Sequence, residues 1–194
     1  MKSDVHELTK SMDDFRIIPE EAEKTARYND LDEHQAKRLR LLSEELIGML
    51  PELLEYGKGT FWIENDGPSF ELHVSVKVEN FMNIDRDKIL SLSKSGKNAA
   101  AVGIINKIRI ATELMMIGYS EVARYEGCDF YEMGVLNNYP EYSRAWSLGS
   151  YKEQANADHQ WDELEKSIIA KLADDVIVGI IGNKVEIVIK KSFK

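Results

Sequence analysis

The most regular pattern of hydrophobic and polar positions lies in residues 34–56 and predicts an amphipathic helix. Its apolar residues recur at spacings of three and four, which places them on one buried face. They are Leu39, Leu42, Leu46, Met49 and Leu53. Pro51 is expected to kink or end the helix, because proline lacks a backbone donor. Gly57 and Gly59 then mark its end.

Two adjacent glutamates, Glu44 and Glu45, lie midway along this helix. Neighbouring helical residues point about 100° apart, so at most one of the two carboxylates can lie centrally on the polar face. The other is expected to lie nearer the core. One interpretation of the pair is ordinary solvated helix charge, and the other is that one of them is a functional acid.

Two stretches predict β-hairpins. The first joins residues 60–65 to residues 69–78 across a turn rich in Asn, Asp, Gly and Pro. In its second strand apolar residues alternate with polar ones, so one face is buried and the other faces solvent. His73 lies on the polar face and is expected to face solvent. The second hairpin covers residues 176–189 and turns at Gly182 and Asn183.

The amino-terminal part of the chain predicts a strand followed by a helix. For the first thirteen residues the sequence leaves two alternatives, a short helix and a loose tail. Residues 15–18 predict a brief strand. Pro19 and the two glutamates after it predict a helix start, because proline suits the first turn and acids complement the helix dipole. That helix runs to about residue 28, and Asp32 is expected to cap the next one.

Helices and antiparallel hairpins alternate along the chain and predict an α+β fold. Residues 99–117 predict an apolar core helix, and residues 162–173 predict an amphipathic one. We expect a two-layer α/β sandwich, in which helices cover one face of a mixed, largely antiparallel sheet. The length of 194 residues suits an amino-terminal extension, 1–14, and a single domain, 15–194, with an insert at 119–161.

Composition and charge narrow the function classes. The chain is 43% hydrophobic, and it has no apolar run near the roughly 20 residues that a membrane helix needs. Its only cysteine, Cys128, fits a reducing setting, so a cytoplasmic protein is expected. The net charge of −9 argues against a nucleic-acid partner, because such binding neutralises phosphates with Lys and Arg. The four histidines are scattered without metal-ligand spacing, so no metal site is predicted from them.

Charged and aromatic residues are distributed unevenly. Residues 84–110 carry six basic and two acidic residues, whereas residues 120–165 carry three basic and ten acidic ones. The acidic stretch overlaps the insert, which holds eight of the chain's 17 aromatic residues besides Tyr119. Because Tyr and Trp are enriched in interface hot spots, the insert is a candidate surface for a protein partner. Alternatively, its rings pack against the core. Alanine substitution at Trp146 distinguishes these alternatives. A large loss of stability indicates core packing, and loss of partner binding with unchanged stability indicates an interface.

Three stretches carry candidate chemistry. In the first, Glu44 is followed one helical turn later by Gly48. In the second, Glu79, Asn80 and Phe81 follow directly after the first hairpin. The third lies before and at the start of the second core helix. Its candidate residues are Lys94, Gly96, Lys97 and Gly103.

The order of these elements resembles that of the ATP-binding domain shared by gyrase, histidine kinases and the mismatch-repair protein MutL, the GHKL domain. It is most similar to the branch of small anti-sigma factors and serine kinases. The resemblance covers roughly residues 15–110 and 174–193, and leaves out the amino-terminal extension and the aromatic insert. It implies a histidine-kinase-like ATPase fold, with ATP or ADP and Mg²⁺ as cofactors.

The resemblance implies roles for residues of the first two motifs. It gives Glu44 the role of a catalytic acid that activates water or a hydroxyl. It places an asparagine that holds Mg²⁺ where this chain has Gly48, and glycine supplies no metal ligand. It assigns adenine recognition to an Asp-x-Gly sequence, where this chain has Glu79 and Asn80, with Phe81 in place of the glycine. The chain therefore departs from the family pattern at both positions.

The third family motif is a Gly-x-Gly sequence at a helix start, whose backbone amides bind phosphates. Here Gly103 is one glycine of the two, and Gly96 lies shortly before it, flanked by Lys94 and Lys97. The resemblance implies that these four residues contact the phosphates of a nucleotide.

Two functions from different classes follow. The first is a regulatory protein with an ATP-binding domain that binds a nucleotide weakly or not at all. If catalytic, it would act as an ATP-dependent serine kinase or ATPase. The second is a non-catalytic protein-interaction module that has lost nucleotide binding and uses the insert. The likeness to anti-sigma factors also implies a homodimer. The alternative to the roles implied by the resemblance is structural. In this interpretation, Gly48 and Gly103 are close helix-packing sites, and Glu79 is a strand-end charge.

Overall fold

The computed structural model describes an α+β protein in which helices pack on an antiparallel sheet. The described residues are 1–9, 11, 13–53, 56–78, 108, 111–112, 115, 135–136, 144–157, 167–181 and 184–194. Within the described residues, the helices with defined bounds are α1 (Asp14–Tyr28), α2 (Glu33–Leu53), α3 (Leu148–Ala157) and α4 (Ile168–Leu172). Its strands are β1 (His6–Leu8), β2 (Tyr56–Asp66), β3 (Ser69–Val78), β4 (Val135–Leu136), β5 (Arg144–Ser147), β6 (Asp175–Ile181) and β7 (Lys184–Ser192).

The seven strands form one sheet in the order β1-β2-β3-β7-β6-β5-β4, and every neighbouring pair is antiparallel. β3 and β7, which come from the two predicted hairpins, pair with each other at the centre. Apolar residues of α1, α2 and α4 share one buried cluster with the inward-facing residues of the strands. The α+β class with an antiparallel sheet is therefore confirmed.

Both predicted hairpins are present. In the first, Asp66 pairs with Ser69 across a two-residue turn, and Gly67 has a φ of +55°, which glycine adopts without steric cost. β2 begins at Tyr56, four residues before the predicted start. Gly57 and Gly59 lie within this strand, next to a shift in its pairing register, instead of ending the preceding helix.

Helix α1 corrects two predictions about the amino-terminal region. It begins at Asp14, so residues 15–18 are helical instead of a strand, and Pro19 lies inside the helix instead of starting it. The physical reason is a four-residue spacing of buried positions through Ile18, Ala22 and Ala26, which fits a helix and not a strand. The first thirteen residues include a strand of three residues, β1, which is neither of the two predicted alternatives, a short helix and a loose tail.

Capping residues separate α1 from α2 as predicted. Asp30, with a φ of 59°, follows α1, and the Leu31 amide donates to the Ala26 carbonyl, which closes the helix in a Schellman motif. Asp32 and Gln35 then form a capping box: the Gln35 amide donates to Asp32 Oδ1 at 2.8 Å, and the Asp32 amide donates to Gln35 Oε1 at 3.1 Å. These bonds satisfy backbone donors that the helix start would otherwise leave unpaired.

The predicted apolar stripe of α2 is buried along its whole length. Each of its five members is at most 4% exposed. Pro51 lies inside the helix, which ends two residues later at Leu53. The predicted core helix over 99–117 is described at four positions, all of them helical and buried. They are Ile108, Ala111, Thr112 and Met115.

Part of the predicted insert belongs to the sheet. β4 pairs with β5, and β5 pairs with β6. Trp146 on β5 is 1% exposed and lies in the core, with its ring centroid 6.2 Å from that of Tyr151 on α3. For Trp146, the packing alternative is therefore correct, and the interface alternative is not.

Two further observations concern the helices. Ser167 has extended backbone angles and precedes α4, so the helix predicted over 162–173 does not pass through Ser167. Residues 158–166 lie outside the described part of the chain.

Among the helices that are described, none combines the length and the apolar character that spanning a membrane requires.

We expect Trp146→Ala to lower the free energy of unfolding by about 3–5 kcal/mol, because it leaves a large cavity in the core. Leu41→Ala is the control, since Leu41 is 39% exposed on α2 and its truncation is expected to change stability by no more than about 0.5 kcal/mol. Urea unfolding measures both. Equal, small effects in the two variants would contradict the burial of Trp146.

Candidate functional site

The burial of the α2 stripe fixes which residues the helix presents on its outer face. Leu39, Leu42 and Leu46 are fully buried. At about 100° per residue, Glu44 and Gly48 lie roughly opposite these leucines. The Glu44 side chain is 40% exposed, and Gly48 is exposed. The candidate acid and the glycine therefore share one accessible face, one turn apart.

Arg40 holds the Glu44 carboxylate on this face. The Arg40 Nε donates to Glu44 Oε1 at 2.9 Å, and its Nη1 donates to Glu23 Oε2 on α1 at 2.8 Å. Glu23 Oε1 also accepts from the Arg27 Nη2 at 2.6 Å. One guanidinium therefore bridges a carboxylate of each helix. Because Arg40 lies one turn before Glu44, the bond draws the Glu44 carboxylate toward the start of α2.

The charges in this network stabilise one another. Hydrogen bonds donated to Glu23 and then to Glu44 raise the pKa of the Arg40 guanidinium above its usual value. Hydrogen bonds from Arg40 and then from Arg27 hold the pKa of the Glu23 carboxyl below its usual range. Both shifts favour the ionised forms, so Arg40 and Glu23 are charged at neutral pH.

The second glutamate, Glu45, lies on the other flank of α2. Its Oε1 accepts a hydrogen bond from the Ser167 Oγ at 3.2 Å, at the start of α4. Glu44 faces α1 and Glu45 faces α4, as the 100° separation predicts. Both side chains are partly exposed, so neither glutamate is buried in the core. Their described partners differ in charge, because Glu44 accepts from the Arg40 guanidinium and Glu45 accepts from a neutral hydroxyl.

Gly48 has room for a side chain. Within the described part of the chain, no neighbouring atom lies within 4 Å of the position that a Cβ would take. The interpretation of Gly48 as a close helix-packing site is therefore wrong. By contrast, a Cβ at Gly59 would lie 2.7 Å from Val76 Cγ1 and 3.1 Å from the Ser75 carbonyl oxygen. Close packing explains the glycine at 59 and does not explain the one at 48.

The remaining predicted site residues lie outside the residues that the structure describes. They are Glu79, Asn80, Lys94, Gly96, Lys97 and Gly103. Their roles in adenine and phosphate binding stay predictions, as do the packing role of Gly103 and the strand-end role of Glu79. Of the predicted site, the described part holds only Glu44 and its neighbour Gly48.

A cluster around His73 was not predicted. His73 is 8% exposed, so its expected contact with solvent is wrong. Its ring stacks on that of Trp62, with centroids 4.8 Å apart and planes 7° apart, and its Nδ1 lies 3.1 Å from Glu186 Oε1. Strand alternation correctly places His73 on the face away from the helices, but it does not show what lies beside it. The hairpin register, which pairs Trp62 with His73, is the signal that finds this contact.

Among the described residues, no three His, Cys, Asp or Glu side chains are grouped so that they could hold a metal ion.

Comparison with models of known protein families gives no match, and a search among curated proteins gives none either. The resemblance therefore stays a prediction, and the described part of the candidate site consists of the outer face of α2.

We expect Gly48→Ala to raise the free energy of unfolding by about 0.5–1 kcal/mol, because alanine loses less backbone entropy in a helix and its methyl group meets open space. Gly59→Ala is the matched control and is expected to lower stability by about 1–3 kcal/mol through overpacking. Urea unfolding of both variants tests this. A loss of stability in Gly48→Ala would show that position 48 is packed.

Proposed function

We propose that this chain is a regulatory protein whose histidine-kinase-like domain binds an adenine nucleotide weakly beside α2, without a functional magnesium site. Gly48 is the single observation that carries the proposal. It occupies the place of the family's metal-binding asparagine, one turn after Glu44, on an exposed face with room for a side chain. On this proposal the metal ligand is absent at position 48 although no atom of the described residues occupies the space that its side chain would take.

The fold supports the proposal at a coarser level. An acid-bearing helix precedes an antiparallel hairpin, and a second hairpin, the last in the chain, pairs with the first through β7 and β3. This order agrees with the resemblance on which the nucleotide function is based. Fold alone does not carry function, so the proposal depends on nucleotide contacts from residues of the 79–103 stretch. Glu79 and Asn80 would face the base, and Lys94, Gly96, Lys97 and Gly103 would face the phosphates.

The second candidate is a protein-interaction module that has lost the nucleotide. One observation favours it: α1 exposes apolar surface, with Phe15 at 46%, Ile17 at 37% and Tyr28 at 75% exposure. Aromatic residues are enriched at interfaces. Because Trp146 is buried, such a module would use α1 in place of this residue. Mixed charges along the helix do not select one kind of partner.

Isothermal titration with ATP, in the presence and in the absence of Mg²⁺, tests the nucleotide proposal. The wild-type chain is expected to bind with the same weak affinity in both conditions, because Gly48 offers no metal ligand. In Gly48→Asn, Mg²⁺ is expected to tighten binding on the order of tenfold, which corresponds to roughly 1.4 kcal/mol.

Gly48→Ala is the control for this titration. It adds a methyl group at the same open position but no oxygen, so its affinity is expected to remain independent of Mg²⁺. The absence of binding heat from the wild type and from both variants at high micromolar ATP would contradict the nucleotide proposal. It would leave the interaction module as the better account.

A further inference from the structure

We propose that Arg40 is a positioning residue that holds the Glu44 carboxylate away from position 48 and thereby lowers turnover of a nucleotide bound beside α2. The inference rests on the proposed function, in which Glu44 is the candidate acid. It adds a second reason for low activity, which is separate from the missing ligand at Gly48. Arg40 lies in none of the three motifs.

The geometry of α2 carries the argument. Residues four apart on a helix are neighbours on its surface, so Glu44 can reach one turn back to Arg40 or one turn forward to position 48. It reaches back: the Arg40 Nε lies 2.9 Å from Glu44 Oε1. A carboxylate held in this way is directed away from a metal ion or water beside residue 48.

Arg40 is itself held in place by α1. Its Nη1 donates to Glu23 Oε2 at 2.8 Å, and the Glu23 side chain is only 21% exposed. Glu23 is in turn bound by Arg27. The guanidinium is therefore fixed from a second helix, which reduces the entropy that an isolated surface pair loses in forming.

The exposure of the pair limits the size of the effect. The side chains of Arg40 and Glu44 are 41% and 40% exposed, so water competes for both. Exposed pairs of this kind shift populations by about two- to fivefold. Arg40 is therefore expected to reduce turnover by this factor and not to abolish it.

Gly48→Asn provides the background for the test, because it restores the missing ligand. In this background Arg40→Gln is expected to raise kcat for ATP with Mg²⁺ by about two- to fivefold and to leave KM unchanged. Arg40→Lys, which keeps a cation within reach of Glu44, is expected to return kcat toward the value of Gly48→Asn alone. Phosphate release measures both constants.

Lys37→Gln in the same background is the matched control. Lys37 forms an ion pair with Glu33 four residues before it, at 2.7 Å, one turn from Arg40 on the same exposed face. Its removal costs a comparable surface pair without touching Glu44, so kcat is expected to stay unchanged. An equal rise in kcat from Lys37→Gln would overturn the proposal, because it would reveal a general effect of surface charge.

The remaining outcomes separate this inference from the function on which it rests. If Gly48→Asn binds ATP and turns it over, but Arg40→Gln leaves kcat the same, the positioning role is overturned and the nucleotide function stands. Binding without turnover in every variant also overturns the positioning role. If titration shows no ATP binding in any variant, the proposed function fails, and the inference fails with it.

Discussion

The burial of the apolar stripe of α2 against the sheet is the constraint on which the rest of the structure depends. Its five members are at most 4% exposed. Full burial of one such side chain contributes roughly 1.5–3 kcal/mol, whereas an exposed ion pair contributes about 0.2–1 kcal/mol. The stripe therefore sets the rotation of the helix about its axis. The charged residues on the outer face pair within the limits that this rotation sets.

That rotation determines the chemistry that α2 can support. It places Glu44 and Gly48 on the accessible face, and it places Arg40 one turn before Glu44, within reach of α1. Rotating the helix to bury Glu44 would expose leucines of the stripe and would remove a carboxylate from water, and both changes are unfavourable. The outer face of α2 is thus fixed by the core, and only the directions of its long side chains remain adjustable.

Patterns that depend on neighbours along the chain predict much of the fold. The stripe of α2, the capping by Asp32 and both hairpins follow from local spacing and turn chemistry. The start of α1 is missed because Pro19 is a strong local signal, whereas the buried spacing through Ile18 and Ala22 outweighs it only when the core is present. Pairing of β1 with β2 is likewise invisible locally, since its partner lies some fifty residues away along the chain.

The same holds for the candidate site: neighbours along the chain predict part of it, and the rest depends on residues that are distant in sequence. Sequence alone identifies Gly48 as a departure from a motif, but a glycine can be kept because a neighbour leaves no room or because no side chain is needed. Only the surroundings distinguish these cases, and they differ between Gly48 and Gly59. Likewise, Arg40 and Glu44 are an ordinary helical pair in sequence, and Glu23 adds the second contact from another helix. Space at position 48 and restraint at Glu44 are thus independent properties of one helix face, because the first depends on what surrounds the helix and the second on a contact from α1.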